Sequence, residues 1–457
     1  MKMKLFLALI SLIFFVGACH TIEKETEEKS NSEYTHHNDW SKSAVIYELN
    51  IRQFSEKGDF NSVIPHLDRL KAMGIDIIWF MPVHPIGEKN RKGGLGSYYS
   101  VKDYTAVNSD YGTLSDFKNL VNEIHKRDMF VLIDWVANHT AWDNPWVEAH
   151  PDWYTKDSTG NMIPPIGTDW SDVVDLNYDN PEMRTAMIEA LQFWVQECEI
   201  NGYRCDVADW VPSDFWTAAR AALDSINPDI FMLAEAENPK LHPAFDMTYG
   251  WEMHHISNEI AKGKMNFDSL HYYMIKEDSN FNSTDYRMHF TSNHDENSWN
   301  GTVFERYGEN YKNWAVVMAT IDGMPLLYSG QESKMNERLK FFEKDTIVWN
   351  DYPLEDFYSE LYTLKDSNEA IWNGDFGGDW AFISNSNPES VLTYSRSKND
   401  NTVLVALNFD SLESQFSISN LPIGVYKSYN SEETLEVEEE GSELSLGPND
   451  YRIFIKK

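Results

Sequence analysis

Eight short apolar runs, separated by longer amphipathic stretches, constrain the fold of this chain more than any other feature. They lie at residues 45–49, 75–81, 130–133, 202–205, 230–234, 245–249, 288–290 and 325–328. Continuous apolar runs of this length are typical of strands that are buried on both faces, as in parallel sheets. Eight strand–helix units in succession predict an α/β fold, the (β/α)8 TIM barrel. A doubly wound open sheet is the alternative, but no G-x-G-x-x-G motif follows the first run.

The remaining chain departs from this pattern in two places. More than forty residues, many of them aromatic, separate the third run from the next helix, and they predict a short inserted subdomain at about residues 139–178, after strand 3. After residue 372, short alternating strands with polar turns predict a C-terminal antiparallel β-sandwich domain over residues 373–457. The barrel domain is therefore expected over residues 43–372.

Residues 1–18 predict a lipoprotein signal peptide. Lys2 and Lys4 precede an apolar stretch that is shorter than the roughly 20 residues needed to span a bilayer. This stretch ends in VGAC at residues 16–19, which resembles a bacterial lipobox, with Cys19 as the lipidated residue. An ordinary signal peptide that contains a cysteine is the alternative. Residues 19–42 are mostly polar and predict a flexible tether, so we expect a membrane-anchored lipoprotein on the periplasmic or cell-surface face of a bacterial envelope.

The charge balance argues against a nucleic acid partner. The chain has 38 Lys and Arg residues against 73 Asp and Glu residues, a formal net charge of −35 at pH 7. Such a charge repels phosphate backbones. The hydrophobic content of 42% is nevertheless high enough to bury a large core, so the chain is not a disordered acidic protein.

Polar side chains follow several of the apolar runs at the point where each strand is predicted to end. They are Asp134, His139, Asp206, Glu235, His294 and Asp295. Active-site residues of TIM barrels lie at the carboxyl ends of the strands, which makes these side chains candidates. Taken alone, each of these residues also fits a structural role. An Asp after a strand, for example, is often a helix N-cap. Arg204 lies on the strand face of Asp206, two residues earlier, and we expect it to pair with Asp206 and keep this carboxylate ionised.

Together these segments resemble the four ordered signature regions of glycoside hydrolase family 13, the α-amylase family. The matching segments are DWVANH at 134–139, GYRCD at 202–206, the first Glu of LAEAENP at 233–239, and FTSNHD at 290–295. Further similar segments are GIDIIWFMP at 74–82, GSYYSVKDY at 96–104, VVDLNYDNPEMR at 173–184 and MPLLYSGQE at 324–332.

The resemblance implies a retaining hydrolase of α-1,4-glucosidic bonds in starch or malto-oligosaccharides. Asp206 would be the nucleophile that forms a glucosyl-enzyme intermediate, Glu235 the general acid and base, and Asp295 the group that stabilises the transition state. Glu237 is the rival acid, and the family pattern favours Glu235. The implied substrate contacts are Tyr99, His139, Arg204 and His294, with Trp210 as an aromatic platform, and the implied supporting residues are Asp134 and Asn138.

The sequence also departs from the family pattern. Many relatives carry a Lys-His pair three and four residues after the nucleophile, where this chain has Asp209 and Trp210, and this leaves the product pattern open. Asn138 and Asp175 match positions that bind calcium in relatives. Calcium needs 6–8 oxygen ligands, and the sequence does not identify the others. No cofactor is expected to be required, a structural calcium ion stays open, and the metal ligands remain unassigned.

Other functions remain open at the level of sequence. An α-glucosidase or neopullulanase-like enzyme, or an α-glucan transglycosylase, would use the same scaffold. A non-catalytic glucan-binding lipoprotein is more distant, since all three implied catalytic carboxylates are present. The expected partners are an α-glucan or malto-oligosaccharide substrate, the membrane that holds the lipid anchor, and other glucan-uptake proteins.

Overall fold

A closed parallel barrel forms the larger part of the molecule. The structure is a computed structural model that describes residues 37–439 and 441–456. Its first ten strands are β1 (Ile46–Leu49), β2 (Ile77–Phe80), β3 (Phe130–Trp135), β4 (His139–Ala141), β5 (Val173–Asp175), β6 (Gly202–Cys205), β7 (Phe231–Ala234), β8 (Met247–Tyr249), β9 (Tyr286–Phe290) and β10 (Met324–Tyr328). Eight of them close the barrel in the order β1-β10-β9-β8-β7-β6-β3-β2, with parallel pairing throughout. This confirms the predicted TIM barrel.

Helices connect the barrel strands. They are α1 (Ile51–Phe54), α2 (Leu67–Ala72), α3 (Leu114–His125), α4 (Pro145–Ala149), α5 (Pro181–Cys198), α6 (Ser213–Asp224), α7 (Trp251–Ala261), α8 (Phe267–Asn280), α9 (Val303–Tyr307), α10 (Tyr311–Thr320) and α11 (Glu355–Ser367). Helix α3 illustrates why they form: Thr113 and Asp116 make a capping box at its start, and Phe117, Leu120 and Ile124 bury one face. In the described part of the chain, no helix has the length and apolar character needed to cross a membrane.

The insertion after β3 contains little regular structure. Its strands β4 and β5 form a two-stranded antiparallel sheet in which His139 lies opposite Asp175. The indole nitrogen of Trp142 donates a hydrogen bond to the carbonyl oxygen of Ser171, 3.0 Å away. These contacts fold the insertion back onto the carboxyl end of β3, where it forms one wall of the site described below.

The C-terminal domain is an antiparallel β-sandwich, as predicted. Its strands are β11 (Asp379–Phe382), β12 (Ser384–Asn385), β13 (Val391–Lys398), β14 (Asn401–Asn408), β15 (Ser414–Ser419), β16 (Gly424–Ser428), β17 (Thr434–Val437), β18 (Ser442–Leu446) and β19 (Tyr451–Lys456). They form a six-stranded sheet, β11-β13-β14-β19-β16-β17, and a three-stranded sheet, β12-β15-β18. Buried side chains such as Leu404, Phe416 and Phe454 fill the space between the sheets.

The N-terminal segment requires a correction. Residues 37–42 belong to the predicted flexible tether, but the structure packs them against the barrel. The ring of Trp40 stacks on Phe130 with ring centres 3.9 Å apart, and Nδ1 of His37 lies 3.4 Å from a carboxylate oxygen of Asp246. The prediction was wrong here because it weighed average polarity and overlooked two aromatic rings that provide specific contacts. The predicted signal peptide, Cys19 and the rest of the tether lie outside the described residues.

Candidate active site

The carboxyl ends of the barrel strands surround a cavity of about 520 Å³. Six of the predicted site residues line it: Tyr99, His139, Asp206, Glu235, His294 and Asp295. The inserted segment and the loops that follow β2 and β10 provide the outer walls. The fold therefore brings together side chains that lie almost two hundred residues apart in the sequence.

Arg204 is the positive centre of the cavity floor. Its side chain is fully buried on β6, and Nη1 donates hydrogen bonds to Asp134 at 2.9 Å and to Asp206 at 3.0 Å. Nη2 forms an ion pair with Glu235 at 2.9 Å, and Nε donates to the hydroxyl of Tyr249 at 3.0 Å. Because Asp206 and Glu235 bind the two ends of one planar guanidinium, their carboxyl groups are held close together.

Strand register places these groups side by side. Strand β6 lies between β3 and β7, so that Arg204 is paired with Asp134 on one side and Leu233 on the other. Asp206 and Glu235 then follow the paired residues Cys205 and Ala234 at the same level of the barrel. This close approach requires Gly202, because a Cβ atom there would lie 1.8 Å from the carbonyl oxygen of Phe231.

The carboxyl group of Asp206 is paired as expected, but its pKa moves in the unexpected direction. Burial, followed by the negative charge of Glu235, raises the pKa of Asp206 well above its usual value, and Arg204 only partly opposes this. Arg204 favours the ionised form of Asp206 as expected, but the expectation neglected burial and the second carboxylate, which act in the opposite direction.

His294 links two carboxylates on the opposite side of the cavity. Its Nδ1 lies 2.5 Å from Glu48 and its Nε2 lies 3.2 Å from Asp295. Burial lowers the pKa of His294, but Asp295 and Glu48 outweigh this effect and raise the pKa well above its usual value. Conversely, although burial opposes it, His294 lowers the pKa of Asp295. A cationic His294 therefore holds Asp295 ionised. Sequence reasoning missed Glu48, although a charged residue inside an apolar run was the available signal.

Tyr99 presents its ring to the cavity. Its hydroxyl donates to Asp134 at 3.2 Å and lies 2.7 Å from Nε2 of His294. The ring stacks on that of Phe341, with ring centres 6.1 Å apart and planes inclined by 16°. Phe341, which comes from the loop after β10, was not predicted, because an isolated aromatic residue in a polar loop gives no local signal.

His139 and Asn138 lie on the wall formed by the insertion. The side-chain nitrogen of Asn138 donates to Nδ1 of His139 over 3.2 Å, and burial lowers the pKa of His139 to about 4. His139 is therefore a neutral hydrogen-bonding group at neutral pH. Trp210 does not line the cavity: it is 52% exposed and stacks on Trp170, which does line it, with ring centres 5.4 Å apart.

The residues suggested as calcium ligands lie beside each other on the insertion. Asn138 and Asp175 are neighbours, since the amide of Leu176 donates to the carbonyl oxygen of Asn138. Burial raises the pKa of Asp175, as expected for a carboxyl group that no cation compensates. Within residues 37–439 and 441–456, no cluster of three or more acidic, histidine or cysteine side chains could hold a metal ion.

The rival acid, Glu237, lies away from the cavity. Its carboxylate forms an ion pair with Nη2 of Arg287 at 3.0 Å and accepts a hydrogen bond from the amide of Glu252. Oε1 of Glu237 takes both of these contacts, and the side chain does not line the cavity, whereas Glu235 does. Glu235 is therefore the carboxyl group available to a ligand in the cavity.

Comparisons with known proteins agree with this geometry. A family model for the alpha amylase catalytic domain matches residues 30–370, and a model for the maltogenic amylase C-terminal domain matches residues 380–453. The chain is 26% identical over 389 residues to Alpha-amylase MalA of Haloarcula japonica, covering 81% of this chain and 56% of that protein. It is 25% identical over 449 residues to Alpha-amylase 3 of Dictyoglomus thermophilum, covering 83% of this chain and 87% of that protein.

Solved structures show the same relationship. The noncanonic maltogenic alpha-amylase AmyB of Thermotoga neapolitana is 30% identical, with a TM-score of 0.83 over 91% of this chain and 98% of its own. An alpha-amylase of Lactobacillus plantarum is 28% identical, with a TM-score of 0.81 over 92% of this chain and 100% of its own. The chain therefore belongs to the alpha-amylase family of glycoside hydrolases.

Proposed function

We propose that this enzyme hydrolyses α-1,4-glucosidic bonds of malto-oligosaccharides or starch fragments with retention of anomeric configuration. One observation carries the proposal: Arg204 holds Asp206 and Glu235 side by side next to the cavity, with Asp295 also lining it. Retaining glycosidases need two carboxyl groups about 5–5.5 Å apart, whereas inverting enzymes keep them farther apart to admit a water molecule.

Each side chain has a defined role in this reaction. The carboxylate of Asp206 attacks the anomeric carbon while Glu235 gives its proton to the glycosidic oxygen, and the carbon–oxygen bond breaks. Water then attacks the glucosyl ester, gives its proton to Glu235 and releases Asp206 as a carboxylate. The first step therefore uses Glu235 in its protonated form and Asp206 as a carboxylate.

Asp295 and its neighbours would bind the sugar that reacts. An ionised Asp295, held by His294, favours the positive charge that develops on the ring in the transition state. The flat face of Tyr99 suits the apolar face of a pyranose ring, and neutral His139 can donate to a sugar hydroxyl. These groups line one continuous cavity.

Replacement of the nucleophile provides the direct test. We expect Asp206→Asn to lower kcat on maltoheptaose by at least about 10³-fold, since an amide cannot form the ester intermediate. Asp209→Asn, an exposed position three residues later, is the matched control. The anomer first formed, followed by NMR, should be α. An active Asp206→Asn variant or an initial β-product would refute the mechanism.

Transglycosylation is the second candidate. The exposed ring of Trp210, stacked on half-buried Trp170, offers a flat platform near the cavity on which an acceptor sugar can compete with water. One relative, at 26% identity over 416 residues, is named Alpha-1,4-glucan:maltose-1-phosphate maltosyltransferase, from Picrophilus torridus. Chromatography of products from concentrated maltoheptaose separates the two functions, since only transfer gives oligosaccharides longer than the starting material.

We also propose that the enzyme is a lipoprotein of a bacterial cell envelope, anchored through Cys19. The support is the order of a basic start, an apolar stretch and the VGAC segment at residues 16–19. In this proposal the barrel acts on glucan fragments close to the membrane that holds it.

A further inference from the structure

The loop between β2 and α3 crosses one end of the cavity. We call residues 88–97 of this loop the bridging loop. On the side of the insertion, Nζ of Lys92 donates a hydrogen bond to the carbonyl oxygen of Asp169 at 2.8 Å and lies 3.5 Å from the carboxylate of Asp172. All three residues line the cavity, so this contact joins the bridging loop to the wall that the insertion forms.

The other end of the bridging loop is joined to the loop after β10. The amide of Gly94 donates to the carboxylate of Glu343 at 2.8 Å, and the amide of Leu95 donates to the carbonyl oxygen of Phe342 at 2.9 Å. Gly93 has φ +62°, and a Cβ atom there would lie 2.4 Å from Cβ of Phe342. The bridging loop is therefore joined to both walls of the cavity, to the insertion through Lys92 and to the loop after β10 through Gly94 and Leu95.

The position of the bridging loop relative to the catalytic pair follows from the barrel. Strands β2 and β10 flank β1, and β1 lies diametrically opposite β7 in the ring of eight strands. Glu235 follows β7, and a general acid stands beside the oxygen of the leaving group. The leaving part of a glucan therefore extends on the β7 side, and the part that precedes the attacked glucosyl unit extends towards the bridging loop.

We propose that the bridging loop closes the non-reducing side of the site, so that the enzyme removes short products from the non-reducing ends of glucan chains. This inference rests on the proposed hydrolysis. The opposite side stays open, where Trp210 is 52% exposed. The cavity volume of about 520 Å³ lies within the range of pockets that hold small ligands.

A blocked substrate tests the inference on the wild-type protein. Maltoheptaose is compared with a derivative that carries a benzylidene group across O4 and O6 of its non-reducing terminal unit. We expect cleavage of the blocked derivative to be at least about tenfold slower, because the bulky terminus meets the bridging loop. Equal cleavage of both would overturn the inference and leave hydrolysis standing. Cleavage of neither would refute the proposed hydrolysis itself, and this inference with it.

A variant tests the role of Lys92. Lys92→Ala removes the contact with the insertion. We expect the ratio of the rate on the blocked derivative to the rate on unmodified maltoheptaose to rise at least about threefold. Lys92→Arg, which can still pair with Asp172, should restore the wild-type ratio. Lys89→Ala is the matched control, because this ammonium lies over the ring of Trp142 and does not line the cavity. A ratio in Lys92→Ala equal to that in Lys89→Ala would overturn the proposal.

Discussion

At the scale of single residues, the site depends on two buried cations. Arg204 neutralises part of the charge on Asp134, Asp206 and Glu235, and none of its surface is exposed. His294 does the same for Glu48 and Asp295. A buried carboxylate without a partner is strongly unfavourable, so each cation affects both the stability of the fold and the charge state of the proposed catalytic groups.

Removal of the guanidinium should destabilise the enzyme. We expect Arg204→Met to lower the free energy of unfolding by about 3–5 kcal/mol, because it leaves several buried carboxylates without a cation. Urea unfolding followed by tryptophan fluorescence measures this. Lys118→Met is the control, since Lys118 pairs with Glu197 at the surface, and it should show no measurable change. An Arg204→Met variant as stable as this control would contradict the role of Arg204.

His294 predicts a specific pH dependence. Its folded-state pKa lies above the usual value of 6.5, so its charge stabilises the fold fully below pH 6.5 and ceases to do so as the pH rises through the folded-state pKa. The difference in unfolding free energy between wild type and His294→Gln should therefore shrink as the pH becomes alkaline. Urea titrations at several pH values measure it, with exposed His255→Gln as control. A difference that stays constant would count against a cationic His294.

At the scale of elements, local patterns and long-range contacts differ in how far sequence predicts them. The eight barrel strands were predictable because each is a local apolar run, and side chains at their ends could be placed on one face of the barrel by topology alone. Charged residues inside strands were informative as well: Arg204 was singled out on this basis, and Glu48 could have been.

The outer walls of the cavity could not be predicted. Lys92 meets Asp169 across 77 residues of sequence, and Gly94 meets Glu343 across 249. Such contacts depend on how loops fold back over the completed barrel, and loops carry no hydrophobic periodicity from which to infer them. For the same reason the packing of residues 37–42 was missed.

Strand β6 offers a test of the close strand packing behind the proposed catalytic pair, Asp206 and Glu235. Gly202→Ala would place a methyl group against the backbone of Phe231, so we expect β7 to shift and kcat to fall at least about tenfold as Glu235 moves away from Asp206. Gly160→Ala is the matched control: it also has positive φ, but its Cβ would meet no atom within 4 Å. If both variants retain similar kcat values, strand separation does not set the geometry of the pair.

At the scale of the whole molecule, the barrel and the sandwich domain are joined by buried polar contacts. The carboxylate of Asp322, next to β10, lies 3.4 Å from the fully buried guanidinium of Arg396 on β13, which also donates to the carbonyl oxygen of Trp372 at 3.0 Å. These contacts lie at the end of the barrel remote from the cavity, since Asp322 precedes β10. The sandwich therefore supports the base of the barrel.

The proposed lipid anchor gives a prediction for the intact chain. Cys19→Ser removes the thiol that would be acylated, so we expect the enzyme to move from the membrane fraction to the soluble fraction of the expressing bacterium. Activity in each fraction, together with labelling by a palmitate analogue, measures this. Cys198→Ser, which replaces a buried thiol, is the control. Membrane association that persists in Cys19→Ser would refute anchoring through this residue.

The packing of the N-terminal segment sets the direction in which an anchored enzyme faces. Trp40 contacts Phe130 and Phe231, which are the first residues of β3 and β7, and Asn38 binds the carbonyl oxygen of Asp229 just before β7. The chain thus joins the barrel at the end opposite the cavity. Residues 19–36 can span at most about 60 Å even when fully extended. A barrel held to a lipid surface from this end would turn its cavity outward, so that chain ends diffusing in from solution reach Tyr99 and Asp206 without passing between the protein and the bilayer.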